Sequence, residues 1–298
     1  MPLRLGYACI CSELQKQHIL VNHTCTRATL AKRGNQWAID LAAKNLEHVL
    51  KVLEWNVAHN IFVYRMSSDM FPHYTDPMFV GVFKLHTHEH ALHAIGKYAR
   101  EHGIRLTFHP GQFNQVGTPN ATVLASTRKD LHFHALALDL IGAPADSVMV
   151  VHGGGTFGNK QATIERWADQ FWRLPTRVRR RLVIENCERS YSYQDMLELH
   201  DLTKLAIVFD THHHACYWGA NHTEHNPQEF MQAIIDTWGS RRPKVHISEQ
   251  DPAKRLGAHS IMVETIPEYL LDLDLDVMVE AKGKEQAVLQ LREKYKLV

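Results

Sequence analysis

Eight short apolar runs, each ending abruptly in polar residues, constrain any fold of this chain. They are Leu3–Ile10, Ile61–Met66, Arg105–Pro110, Val148–Gly153, Leu182–Asn186, Ala206–Asp210, Pro243–Ser248 and Asp276–Lys282. Runs of about four to eight residues suit strands buried on both faces. Helical spacing fills the intervals. Trp37, Leu41, Leu46, Val49, Leu50 and Leu53 precede the second run, and Leu92, Ile95, Gly96 and Ala99 the third. Leu131, Ala135, Leu138 and Leu140 precede the fourth, Ile164, Trp167 and Phe171 the fifth, Met196, Leu197 and Leu199 the sixth, and Phe230, Ile234 and Trp238 the seventh. Alternating strands and helices require parallel pairing through crossovers. Eight such units in 298 residues predict an α/β fold, a single (β/α)8 TIM barrel whose site lies at the C-terminal strand ends. No linker rich in Pro, Gly or Ser interrupts the chain, so residues 1–298 are expected to form one domain. Gly153-Gly154-Gly155 lacks the G-x-G-x-x-G spacing, which argues against a dinucleotide-binding fold.

Composition narrows the class further. Hydrophobic residues make up 45% and charged residues 22% of the chain, as in an ordinary globular protein. No apolar run approaches the roughly 20 residues of a membrane helix, and the N-terminus enters a strand pattern without a signal-peptide signature. A soluble, intracellular protein with no membrane contact is expected. Five cysteines give no disulfide framework, and Cys9 and Cys11 are expected on one face of the first strand. The net charge of +1 leaves any nucleic-acid footprint to local clusters. Arg177, Arg179, Arg180 and Arg181 form the most basic of these and read as a solvated surface turn.

The 22 histidines are the anomaly. Six consecutive runs close on an ionisable residue: His109, His152, Glu185, Asp210, His246 and Glu280. In a barrel these strand ends converge, although they span much of the sequence. Buried carboxylates and imidazoles are costly without compensation, and metal coordination supplies it. Three carboxylates and several imidazoles with no cysteine suit Mn²⁺, Zn²⁺ or Fe²⁺, in a cluster of two or three divalent ions sharing a carboxylate. His259 follows the seventh run in a loop on the same face. His86, His88, His90 and His93, at a helix start, are expected to be solvated, and His222 and His225 to lie in a polar loop.

Several strings together resemble the ultraviolet damage endonuclease (UVDE) family, a relative of endonuclease IV among the xylose-isomerase-like barrels. They are Leu5-Gly6-Tyr7 with Cys9, Asn45-Leu46, Trp55-Asn56, and Tyr64-Arg65-Met66-Ser67-Ser68. Next come His109-Pro110-Gly111-Gln112, Val151-His152-Gly153-Gly154, Glu185-Asn186-Cys187-Glu188 and Asp210-Thr211-His212-His213. Pro243-Lys244-Val245-His246, Gln250-Asp251-Pro252, Gly257-Ala258-His259 and Val279-Glu280-Ala281-Lys282-Gly283-Lys284 complete the set, which spans nearly the whole chain. The resemblance implies nicking of damaged double-stranded DNA 5′ to ultraviolet photoproducts, leaving a 3′-hydroxyl, with a manganese-type cluster of up to three ions. By motif, His109, His152 and Glu185 would hold one ion, Glu185, Asp210, His246 and Glu280 a second, and His213 with His259 a third. Lys244 matches a lysine that can be carboxylated beside the metals, and Glu185, Lys244, His109 and Asp210 would carry the catalysis. Gln112 with its neighbour matches a pair that probes the helix opposite the lesion, and Tyr7 matches a tyrosine near the damage. Two positions depart from the pattern: Phe113 stands where tyrosine is common, so stacking survives without the hydroxyl, and Asp76 stands where a histidine precedes proline. An ionised carboxylate repels phosphate, so Asp76 would act differently from that histidine. Abasic sites and other distorting lesions are further substrates that this metal core would suit, and a sugar isomerase on the same barrel is the alternative. No protein partner is implied, and a monomer is expected of an enzyme that must wrap DNA.

Overall fold

The computed structural model describes residues 3–79, 81, 84–219 and 226–297. All eight expected strands are present: β1 Arg4–Ala8, β2 Val63–Arg65, β3 Arg105–Thr107, β4 Met149–His152, β5 Leu182–Glu185, β6 Ile207–Asp210, β7 Lys244–Ile247 and β8 Asp276–Val279. Every neighbouring pair is parallel. The order runs β3-β2-β1-β8-β7-β6-β5-β4. The ring closes through a bridge between Phe108 and Met149, with Phe108 N donating to Val148 O at 3.0 Å and Val150 N to Phe108 O at 3.0 Å. The result is the expected TIM barrel.

The strands are buried on both faces along nearly their whole length. Successive side chains alternate between barrel interior and helix layer. Val148, Val150, Val183, Ala206 and Val208 form one inner cluster with Trp238, and Ala8, Val63 and Met278 another. Their alternates, such as Leu5, Leu106, Met149, Ile184, Ile207 and Val277, belong to the larger core between strands and helices. Gly6 faces inward, where an added Cβ would lie 2.1 Å from Val63 O, so β1 and β2 tolerate no side chain there.

The crossover helices include Asn35–Ala58, Glu89–Glu101, Ala121–Ile141, Lys160–Trp172, Tyr193–Thr203 and Pro227–Asp236. Their starts are set by side-chain caps: Asn120, Asn159 and Asn226 accept backbone N–H groups, and Ser192 with Asp195 forms a capping box. Between β7 and β8 the helix shrinks to Glu268–Leu271, leaving a long loop at the C-terminal ends of the strands. At the opposite end, Asp276 accepts from Arg4 Nε at 2.7 Å, Arg105 Nη1 at 2.9 Å and Arg242 Nε at 2.6 Å, tying β1, β3, β7 and β8 together. The basic cluster also lies at that end. Arg177, Arg180 and Arg181 converge on Asp139, and Arg181 is buried, so this turn is a paired one and only partly solvated.

Two expectations are corrected here. His88 is buried and its ring packs beside Phe71, because the 3-10 turn Leu85–His88 rotates it inward while His86, His90 and His93 stay exposed. Cys9 and Cys11 do not share a strand face: β1 ends at Ala8, Cys9 takes φ +64°, and Cys11 turns into the helix-side core. All five cysteines are free. His222 and His225 lie outside the described residues. Among the described residues no helix is long and apolar enough to cross a membrane.

Candidate functional site

The alternation that builds the barrel also builds the site. Counting two residues back from each strand end gives inward-facing columns Arg105-Thr107-His109, Val148-Val150-His152, Ala206-Val208-Asp210 and Asp276-Met278-Glu280. On neighbouring strands the register sets His152 beside Glu185 and Asp210 beside His246. Glu185 is the centre. Its Oε2 lies 2.9 Å from His109 Nε2 and 3.7 Å from His152 Nε2. Its Oε1 lies 2.7 Å from His246 Nδ1 and 3.8 Å from His213 Nδ1. Glu280 Oε1 is 3.1 Å from His246 Nδ1, and its Oε2 is 3.7 Å from His259 Nδ1.

Asp210 has a double role. Its Oδ1 accepts the backbone N–H of His213 at 2.7 Å, capping the helix Thr211–Trp218, which turns His213 back over the barrel mouth. Its Oδ2, 3.7 Å from His213 Nδ1, is buried without a hydrogen-bond partner, as is His152 Nδ1. Asn186 clamps the Asp210 backbone through Nδ2 to O at 3.0 Å and N to Oδ1 at 2.8 Å.

Electrostatics follow from this packing. Burial pushes Asp210 up. Burial also drives His109 down to about 4, outweighing the pull of Glu185. Burial opposes ionisation of Glu185, but His246 and His152 hold it well below the usual carboxylate range. His213 rises to about 9, because Asp210, Glu185 and Glu280 overcome its burial. Lys244, fully enclosed, falls to about 7 through burial and the nearby Arg65 and Arg105 guanidiniums. Its Nζ lies 2.7 Å from His246 Nε2. The donor set fits hard to borderline divalent ions: two groups, His109-Glu185-His246-Glu280 and Glu185-Asp210-His213, bring their ligand atoms within 4.8 Å of one another. The orphaned Asp210 Oδ2 gives one of them an oxygen with no other task.

Above this floor opens a cavity of about 480 Å³, lined by Gln112 from the loop after β3 and by Arg255 and Leu256 from the loop after β7, four strands away around the ring. It joins, through Cys9, Ser68, His109 and Gly111, a second cavity of about 680 Å³ that includes Phe113 and Asp76. Gln112 is exposed and Phe113 is 62% exposed. Asp76 is occupied: it accepts from Arg27 Nε at 2.7 Å and from the backbone of Met78 at 3.0 Å.

Tyr7 is the member that the structure does not bring to the site. It lies on the helix-facing side of β1, fully buried, and donates to Asn56 Oδ1 at 2.7 Å. The alternation that sends Gly6 and Ala8 inward sends Tyr7 outward, so its ring has no surface to offer DNA here. Sequence reasoning missed Arg65. It closes β2 at the height of the other strand-end groups, lines the cavity and pairs with Glu280. The same two-residue alternation would have found it, had cations been counted with the ligands.

Residues 3–298 match the family model described as UV-endonuclease UvdE. The chain is 34% identical over 264 residues to the UV DNA damage endonuclease of Bacillus cereus strain Q1, covering 84% of this chain and 80% of that protein. It is 34% identical over 308 residues to the UV-damage endonuclease of Schizosaccharomyces pombe, covering 99% of this chain and 51% of that one. The crystal structure of SacUVDE superposes with a TM-score of 0.89 at 26% identity, covering 99% and 98%. Endonuclease IV from Thermus thermophilus shares the fold, with a TM-score of 0.57 at 17% identity, covering 83% and 94%. With Glu185 and its imidazoles gathered at the strand ends of this barrel, the chain belongs to the UV-endonuclease UvdE family.

Proposed function

We propose that this endonuclease nicks duplex DNA on the 5′ side of ultraviolet photoproducts, leaves a 3′-hydroxyl, and depends on two or three divalent ions, manganese first. The observation that carries this reading is the convergence of Glu185, Asp210 and Glu280 with five imidazoles beneath an open cleft, two buried polar atoms being left without partners. His109, His152 and Glu185 would hold one ion, Glu185, Asp210, His246 and Glu280 a second, and His213 with His259 a third. Divalent ions held there would supply Lewis acidity toward phosphate oxygens and would acidify bound water.

The chain's own residues do the rest. Arg65 holds Glu280 in place while adding positive charge to the wall that a phosphate must approach. Above about pH 7 the Lys244 amine is neutral, the state in which carbon dioxide adds to an amine, so carboxylation of Lys244 belongs to this proposal. Gln112 and Phe113 are exposed, Phe113 with its ring lying over Gly111, and suit insertion beside a lesion, where weakened stacking lowers the energy of opening the helix. Asp76, already neutralised by Arg27, repels an approaching phosphate less than a free carboxylate would.

The test is nicking of a labelled duplex carrying one cyclobutane dimer, beside undamaged and abasic duplexes, with Mn²⁺ or EDTA. The proposal expects metal-dependent cleavage immediately 5′ to the dimer, reduced at least a hundredfold in Glu185→Gln. Cleavage at the abasic site alone would move the chemistry toward abasic repair. Cleavage of no duplex, with metal bound, would sink the DNA reading and put sugar isomerisation first.

A further inference from the structure

Large apolar side chains are not exposed at random on this barrel. Among the described residues Met78, Phe113, Phe157, Leu256 and Ile261 are exposed in loops that follow strands, on the catalytic face, whereas Trp172 and Leu202 lie at the helix ends that lead into strands. A scattered exposed leucine needs no explanation. Leu256 differs in its support. It is 58% exposed, yet the loop beneath it is braced.

The bracing is extensive. Gln250 and His259 form an antiparallel bridge, and Asp251 N donates to Ala258 O at 2.7 Å. Inside the turn, Gln250 Nε2 donates to Asp251 O at 2.8 Å and Arg255 O at 3.0 Å, while its Oε1 accepts Gly257 N at 2.9 Å. Lys282 Nζ ties Asp251 Oδ2 to the chain beyond β8 at 2.8 Å. Gly257, at φ +84°, reverses the chain so that Arg255 and Leu256 stand at the tip. Three residues after Leu256, His259 faces Glu280 in the floor. The loop therefore holds an apolar tip and a cation at the cavity wall, and because it follows β7 it stands four strands around the ring from the loop after β3 that carries Gln112.

We infer that Leu256 is a second wedge, entering the damaged duplex from the side opposite Gln112 and Phe113, with Arg255 on the adjoining phosphate. Apolar wedges are effective at unstacked steps because they replace lost base stacking with buried hydrocarbon. A rigid loop gives up little conformational freedom on insertion. Two tips on facing walls would hold a lesion open from both strands, whereas one tip alone could be expelled as the helix closes. Discrimination between damaged and intact DNA would then depend on Leu256 as well as on the Gln112 pair. The inference rests on the proposed function.

The experiment measures the affinity of the full chain for a dimer-containing duplex and its undamaged counterpart in EDTA, with 2-aminopurine opposite the dimer reporting unstacking. In Leu256→Ala the damaged-to-undamaged affinity ratio is expected to fall about tenfold, with loss of most of the 2-aminopurine signal. Leu256→Met is expected to restore both. Wild-type protein that discriminates, together with Leu256→Ala that discriminates and unstacks equally well, would overturn the wedge alone. Wild-type protein that fails to distinguish the two duplexes in EDTA but nicks at the dimer once Mn²⁺ is restored would overturn the wedge alone, and one that neither distinguishes them nor nicks in Mn²⁺ would overturn the wedge together with the function on which it rests.

Discussion

Lys244 shows how one buried side chain links the site to stability. Enclosure and two guanidiniums lower its amine to about 7, against 10.5 for a free lysine. Between those values the unfolded chain binds a proton that the folded chain refuses. Stability of the metal-free protein therefore falls as pH drops from about 10.5 to about 7 and levels off below. Lys244→Met removes that penalty. Calorimetry of the metal-free variant should show Tm raised by roughly 5 °C at pH 7, a gap that narrows toward pH 10, while nicking with Mn²⁺ falls about a hundredfold. A gap constant with pH would mean that packing, not the proton, sets the difference. His213 works with the opposite sign. Raised from 6.5 to about 9, it contributes stability that is complete below 6.5 and lost as pH rises through 9. A metal needs the neutral ring, so protons and metal compete there. The Tm gain on adding Mn²⁺ should grow between pH 6 and pH 9, and in His213→Asn it should grow less. An equal gain across that range would remove His213 from the ligand set.

At the scale of elements, Asp276 opens β8 and faces Arg4 from β1, Arg105 from β3 and Arg242 before β7. Burial opposes its ionisation, but these guanidiniums hold it below the usual carboxylate range. Its contribution is present above 3.8 and lost as pH falls through the depressed folded value. Asp276→Asn leaves three cations facing one another at the barrel's floor. It should cost about 3–5 kcal/mol in urea unfolding at pH 7, with much less difference near pH 2. Strands such as β5 and β6 were legible because both faces are apolar, and their polar ends because inward residues keep the same alternation into the loops. Phase was harder to read. Tyr7 and Gly6 adjoin, and nothing in Leu5-Gly6-Tyr7 says which faces the helices until Val63 is seen to exclude a side chain at position 6. The helix Thr211–Trp218 was hidden because its cap is Asp210, a residue already assigned to the site. The Gln250–His259 hairpin escaped because the Gln250 side chain and the Lys282–Asp251 pair hold it, contacts that leave no periodic signal.

Over the whole molecule, a net charge of +1 conceals a separation of roles. At the end away from the cleft, Arg177, Arg180 and Arg181 are bound to Asp139 at 3.2, 2.6 and 3.0 Å, and Arg4, Arg105 and Arg242 to Asp276. Those guanidiniums hold the barrel together, and releasing them to meet phosphate would leave the buried Asp276 and the half-buried Asp139 unpaired. On the catalytic face Arg27, Lys84, Arg189, Lys254, Arg255 and Lys282 are exposed, with Arg27 engaged by Asp76 and Lys282 by Asp251. Among the described residues about four of these cations carry no ion pair, and on the proposed reading affinity draws on insertion of apolar tips as well as on phosphate contacts. Each neutralised phosphate adds about 0.9 to the dependence of log affinity on log salt, so binding of a dimer-containing duplex should show a slope near −3 or −4. Arg255→Ala should make that slope shallower by about 1, for damaged and intact DNA alike, whereas Arg180→Ala should not change it. A slope near −8 that responds to Arg180 would place the duplex against the opposite end of the barrel. The strand-end cluster would then be too far away to reach the phosphodiester.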